Sequence, residues 1–163
     1  MRGHFIALLA TVACLGVTVQ GQRQVFPGNG QLPFSAATRA DGLIYVSGNL
    51  SAKGDIKEQT KGVIDSLGQT LTKAGSSQKN VVAATVYLKN GADAAAMTEV
   101  WRQYWPKDAP TRTTVVAELV SATALVEIAV IAVPDGGERT IITPAGWSTA
   151  NPYSYAIKTG DTL

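Results

Sequence analysis

Two charged residues occupy places where charge is costly. Glu127 sits in the middle of TALVEIAVIAV, residues 123–133, a run of apolar residues. A strand this apolar is normally covered on both faces, and an ionised carboxylate there needs a partner. Arg112 opens the β-branched stretch TRTTVVAEL, residues 111–119, just after a loop marked by Pro106 and Pro110. A guanidinium at a strand start can present a planar fork to a carboxylate. That carboxylate is either Glu127, in a structural ion pair across two strands expected to run antiparallel, or a ligand's. In the second case Glu127 is left free to handle a water molecule. Residue types and spacing alone leave both readings open.

Composition narrows the remaining chemistry. The 163-residue chain has one cysteine, Cys14, and one histidine, His4. Both fall in MRGHFIALLATVACLGVTVQGQ, which has basic residues first, an apolar stretch from Phe5 to Val19, and small residues at Val19 and Gly21. This pattern predicts a secretory signal peptide over residues 1–21, cut after Gly21. The apolar run is shorter than the ~20 residues a spanning helix needs. The expected destination is periplasmic or secreted, with no stable membrane insertion after cleavage. A chain so processed would contain neither histidine nor cysteine. That excludes a disulfide within the chain, a thiolate nucleophile, a Ser-His-Asp triad and a His or Cys zinc site. Carboxylates, Arg, Lys, Tyr, hydroxyls and backbone remain, and no metal or cofactor is expected. The formal charge of +2, with 16% charged residues, gives no basic surplus for nucleic acid.

Two elements must position Arg112 and Glu127, and the rest of the chain supplies their support. FSAATRADGLIYVSG reads as two short strands joined at Asp41-Gly42, a strong hairpin signal. Residues 54–75 read as a helix, with Ile56, Val63, Ile64, Leu67 and Leu71 on one face, Asp55 as N-cap, Glu58 three residues on and Gly75 as the stop. KNVVAATVYLKN alternates as a strand. ADAAAMTEVWRQYW returns to helical spacing, with Asp93 as cap and Trp101, Tyr104 and Trp105 as core. Residues 22–32 read as loop. The order is β-β-α-β-α-β-β, an α+β fold with two helices on one face of a mixed sheet. Val115, Val126, Ile128 and Val130 suggest an apolar second face, and hence association through the sheet.

The end of the chain echoes its beginning. NPYSYAIKTGDTL, residues 151–163, parallels LPFSAATRADGLI, residues 32–44. Pro33 matches Pro152, Phe34 matches Tyr153, Ser35 matches Ser154, Ala37 matches Ala156, and Arg39 parallels Lys158. Residues 22–136 are therefore read as one domain, and residues 137–163 as the start of an incomplete second repeat.

Three stretches carry a resemblance to a known family: YVSGNL at 45–50, APTRTTVVAEL at 109–119 and VEIAVIAV at 126–133. With the order of elements, they resemble the RidA (YjgF-like) family of enamine and imine deaminases over about residues 32–134. The resemblance implies a chorismate-mutase-like α+β fold and a homotrimer with a site in each cleft between subunits. It implies that Arg112 grips the carboxylate of a small imino or keto acid and that Glu127 is the acid associated with the attacking water. It places Ser47 and Gly48 at the pocket wall, with Phe34, Thr98 and Thr114 as further substrate-binding positions. Thr114 stands where many members have cysteine, Phe34 where many have tyrosine, and Thr98 where a common member has asparagine. The implied reaction is cofactor-independent hydrolysis of 2-imino and enamine acids to 2-keto acid and ammonia. The alternative is a non-catalytic module that binds small carboxylic acids in the same cleft.

Overall fold

A computed structural model describes residues 23–30 and 33–163. The expected signal peptide at residues 1–21, with His4 and Cys14, lies outside the described residues. Six strands form one mixed sheet: β1 (Gln24–Pro27), β2 (Ser35–Ala40), β3 (Leu43–Leu50), β4 (Val81–Leu88), β5 (Thr111–Val116) and β6 (Val126–Ala132). Their order is β1-β2-β3-β6-β4-β5. Two helices, α1 (Ile56–Lys73) and α2 (Ala94–Tyr104), cover one face. A short ribbon of β7 (Thr140–Ile142) and β8 (Ala156–Lys158) follows. The expected β-β-α-β-α-β-β order is present as β2-β3-α1-β4-α2-β5-β6.

Local chemistry explains the elements that the sequence predicts. The β2–β3 turn puts both Asp41 (φ 49°) and Gly42 (φ 77°) in the left-handed region. That conformation matches the twist of the two strands, and glycine adopts it without steric cost. Asp55 caps α1 by accepting from the backbone N–H groups of Lys57 and Glu58 at 2.9 Å, while Glu58 accepts from the Asp55 N–H at 3.0 Å. This reciprocal pair satisfies donors that the helix itself leaves unpaired. At the other end, Ser76 N–H reaches Leu71 O and Gly75 N–H reaches Thr72 O, closing the helix. The core lies between helices and sheet, where Val63, Ile64, Leu67, Leu71, Met97 and Trp101 pack on Ile44, Val86, Val126, Ile128 and Val130.

Four expectations need correction. Asp93 does not cap α2: its backbone is already helical and its side chain makes no capping bond. A short 3-10 turn at Gly91–Asp93 precedes the helix, and Asn90 caps that turn by accepting from Ala92 N–H at 3.0 Å. Residues 22–32 are not all loop, since β1 pairs with β2. Strands β5 and β6 are not antiparallel neighbours. β5 runs parallel to β4, because a helical crossover returns the chain in the same direction, and β6 lies between β3 and β4. Finally, Val126, Ile128 and Val130 are under the helices. The uncovered face of the inner strands carries Tyr45, Thr85, Tyr87, Ala129 and Ile131, a more polar set, all partly exposed.

Residues 137–163 fold back onto the domain. Ile157 is buried with Val82 and Val133, beside Leu43, Ile131 and Ile141. Arg139 donates to Val81 O at 3.0 Å and Asp108 O at 2.6 Å. Among the described residues, no helix is long and apolar enough to cross a membrane.

Candidate functional site

The sheet distributes the site residues into two groups. Arg112 is the second residue of edge strand β5 and lies opposite Ala84 of β4, a core residue under the helices. Its guanidinium therefore rises toward α2. It stands 5.2 Å from the centre of the Trp101 ring, a geometry in which the negative ring face attracts the cation. Its Nη2 donates to Thr98 Oγ1 at 3.3 Å, and its Nη1 lies 3.9 Å from Met97 Sδ. Thr114 is two residues further along β5, on the same face and exposed. Arg112, Thr98 and Thr114 are thus brought together. Partial burial lowers the Arg112 pKa, the Tyr153 phenol opposes that shift, and Arg102 adds to it. The guanidinium stays charged at neutral pH regardless. Among the described residues it forms no ion pair with any carboxylate.

The second group is centred on β3 and β6. Between Val46 and Asn49 the register of β3 slips by one residue against β6. This bulge re-aims Ser47 and Gly48. The Glu127 carboxylate lies against Gly48 so closely that a Cβ there would stand 2.0 Å from Oε1. The missing side chain of glycine leaves the carboxylate this place. Ser47 donates to Ser35 O at 2.7 Å, fixing the bulge to β2. Asn49 bridges the bulge to α1, donating to Ser47 O at 2.9 Å and accepting from Ser66 Oγ at 2.8 Å. Phe34, 52% exposed, joins Ser47, Gly48 and Asn49 around an open hollow of about 610 Å³. Glu127 is partly exposed and makes no hydrogen bond or ion pair among the described residues.

The two groups do not meet within one chain. Glu127 lies opposite Tyr87 on the face away from the helices, whereas Arg112 is on the helix side. β4 separates their strands, and their backbones are roughly 14 Å apart from strand spacing and residue rise. The structural ion pair between Arg112 and Glu127 is therefore not formed within the chain. What each group can do is clear from its parts: one is a half-buried cation without an ion-pair partner, the other a partly exposed carboxylate packed against the β3 bulge. Among the described residues, no three of His, Cys, Asp and Glu stand close enough to hold a metal ion.

Sequence reasoning missed Met97, Trp101 and Asn49. Met97 and Trp101 lie four apart on one helix face, a spacing that signals burial without revealing that a cation rests on the ring. Asn49 sits inside YVSGNL, but nothing local shows that it ties the bulge to α1.

A fold in which two helices cover a mixed sheet with a bulged third strand defines a class of small α+β proteins, and the comparisons place the chain within it. The profile of the Endoribonuclease L-PSP family matches residues 29–134. The chain belongs to this family, which bears out the RidA (YjgF-like) resemblance. A RutC family protein of Pyrococcus abyssi is 38% identical over 108 residues, 61% of this chain and 85% of the relative. The 3-aminoacrylate deaminase RutC of Acinetobacter baylyi is 36% identical over 108 residues, 61% of this chain and 86% of the relative. The crystal structure of a YjgF family member from Neisseria meningitidis is similar with a TM-score of 0.62 at 33% identity, covering 69% of this chain and 95% of that one. A Mycobacterium tuberculosis member of the YjgF/YER057c/UK114 family gives a TM-score of 0.65 at 25% identity, covering 69% and 99%.

Proposed function

We propose that this protein hydrolyses reactive 2-imino and enamine acids to 2-keto acids and ammonia, in clefts between the copies of a homotrimer. The observation that carries the reading is Arg112: a half-buried guanidinium on an edge strand, backed by Trp101, with no carboxylate partner among the described residues. Such a fork suits a small carboxylate, each charge-assisted bond being worth ~1.5–3 kcal/mol. The deaminase named among the relatives supports the reaction class.

The chemistry follows from the two groups. Arg112 of one copy holds the carboxylate of the imino acid, leaving the adjacent C=N carbon as the electrophile. Glu127 of a second copy orients a water molecule and accepts its proton as the oxygen bonds to that carbon. Glu127 returns that proton to nitrogen as the C=N bond opens, giving the carbinolamine; the hydroxyl proton then passes by the same carboxylate to nitrogen, C=O forms as the C–N bond breaks, and the products are ketone and ammonia. An enamine substrate first takes a proton on carbon to become the imine. Association through β5 suits the exposed side chains there, Val115 and Val116, the latter 63% exposed, and Phe34, Leu50 and Val120 are exposed around the hollow beside the β3 bulge.

An amino-acid oxidase can generate the imine in the assay, with ammonia release followed in time. The expected result is faster release with the protein than without it, and loss of that acceleration in Arg112→Ala. Wild-type protein that binds pyruvate but leaves the spontaneous rate unchanged would replace the deaminase reading with the binding module.

A further inference from the structure

The tail repeats more than a sequence motif. In the first ribbon Arg39 lies opposite Gln24 and Ala37 opposite Phe26; in the second Lys158 lies opposite Thr140 and Ala156 opposite Ile142. Both ribbons are antiparallel, and the residues aligned by the sequence echo hold the same pairing positions. Phe34 precedes β2 and borders the hollow beside the β3 bulge. Its counterpart Tyr153 precedes β8, and the chain pins it at the other group.

The pinning is specific. The Trp101 indole N–H donates to Pro152 O at 2.8 Å, and the same indole ring lies under the Arg112 guanidinium. On the other side, Ser154 is buried; its N–H reaches Pro110 O at 3.2 Å and its hydroxyl donates to Ala109 O at 2.5 Å. Tyr153 is thus held between two anchored residues, beside the strand start that carries Arg112. Arg102 donates to Ala150 O at 3.1 Å, adding a third tie. The Tyr153 ring meets Tyr155 edge to face at 6.1 Å, and Tyr155 in turn packs on Trp147 at 4.6 Å. Tyr153 is 37% exposed, and its hydroxyl has no hydrogen-bond partner among the described residues. Tyr153 is also close enough to act on the ionisation of Arg112.

We propose that the tail, anchored at Pro152 and Ser154 beside Trp101 and the start of β5, flanks the Arg112 guanidinium, and that the Tyr153 hydroxyl donates to the carboxylate held by Arg112. Tyr153 then acts as a specificity residue of the substrate site, supplied by the chain's own tail. The inference rests on the reading of Arg112 as the carboxylate-holding residue. It adds a fixed, uncharged donor beside the guanidinium, which favours a carboxylate able to accept from two directions.

Calorimetric titration of the full chain with pyruvate tests it, because pyruvate carries a carboxylate beside a trigonal carbon. Tyr153→Phe keeps the ring and its edge contact and removes only the hydroxyl. The expected result is a Kd raised about 3- to 10-fold, the range for one lost hydrogen bond, with the same thermal midpoint as wild type. Tyr153→Leu, which also removes the ring, should weaken binding further. Wild-type affinity in Tyr153→Phe, with binding abolished in Arg112→Ala, would overturn the role of the tail and leave the Arg112 reading intact. Wild-type affinity in Arg112→Ala would overturn both.

Discussion

The surroundings of Arg112 and of Glu127 are built from the same sheet in opposite ways. Arg112 is on an edge strand, faces the helices, and is held by α2 through Thr98, Met97 and Trp101. Glu127 is on an inner strand, faces away from the helices, and is set by a bulge in its neighbour. Among the described residues neither Arg112 nor Glu127 forms an ion pair. Side chains alternate across a strand, so this sheet cannot bring the two together by itself. Under the proposed function, each is half of a site and the other half comes from a second copy.

Substitutions can break either half. Arg112→Ala should have the largest effect, lowering kcat/KM for imine hydrolysis by about 10³-fold through loss of two charge-assisted bonds. Circular dichroism should show the fold unchanged. Glu127→Gln should lower kcat by about 10²-fold while pyruvate titrations give wild-type affinity, because this half handles water rather than the anion. Equal losses of binding in the two variants would erase the distinction between the halves.

Gly48→Ala sharpens the comparison on the Glu127 side. The new Cβ would meet Glu127 Oε1, the end of a flexible side chain, so the carboxylate shifts rather than the backbone. A displaced base should cost about tenfold in kcat, with pyruvate binding and thermal stability retained. A kcat equal to wild type would show that the position of Glu127 beside Gly48 is immaterial.

The smallest effect concerns the helix layer beneath Arg112. Asp65 on α1 accepts from the Tyr104 hydroxyl on α2 at 2.6 Å and from Lys61 at 2.7 Å. Those bonds, Lys61 first and Tyr104 second, hold its carboxyl below the usual range. A folded pKa below the unfolded value of ~3.9 contributes stability that is complete above that pH and is lost as pH falls through the folded value. Thermal melts between pH 6 and pH 3 should therefore show a slightly shallower acid decline in Asp65→Asn than in wild type. Because the Asp65 side chain is 44% exposed, solvent screening keeps the difference small. Parallel declines would remove this contribution.

What the sequence made legible was local. The Asp41-Gly42 turn and the Asp55–Glu58 capping pair depend on residues within a few positions, and both formed as expected. Arg112 and Glu127 stood out because charge in apolar or β-branched stretches is conspicuous. The strand order was not legible, since β5 takes its partner from a helical crossover and β6 inserts between strands distant in sequence. That error also misassigned Val126, Ile128 and Val130 to the uncovered face. Nor could the sequence reveal the contact of Glu127 with Gly48 or the seat of Arg112 on Trp101, each joining residues from separate elements. The echo between residues 32–44 and 151–163 was visible, but its docking beside Arg112 depends on backbone carbonyls at Ala109, Pro110 and Pro152, which carry no sequence signature.

The central claim, that the site exists only between copies, is tested most directly by mixing two inactive variants. Arg112→Ala and Glu127→Gln chains, unfolded together and refolded, can form clefts that unite an intact Arg112 from one chain with an intact Glu127 from the other. The account predicts partial recovery of imine hydrolysis in the mixture, absent from either variant refolded alone. Mixed oligomers that form, shown by native mass spectrometry, and yet stay inactive would contradict it.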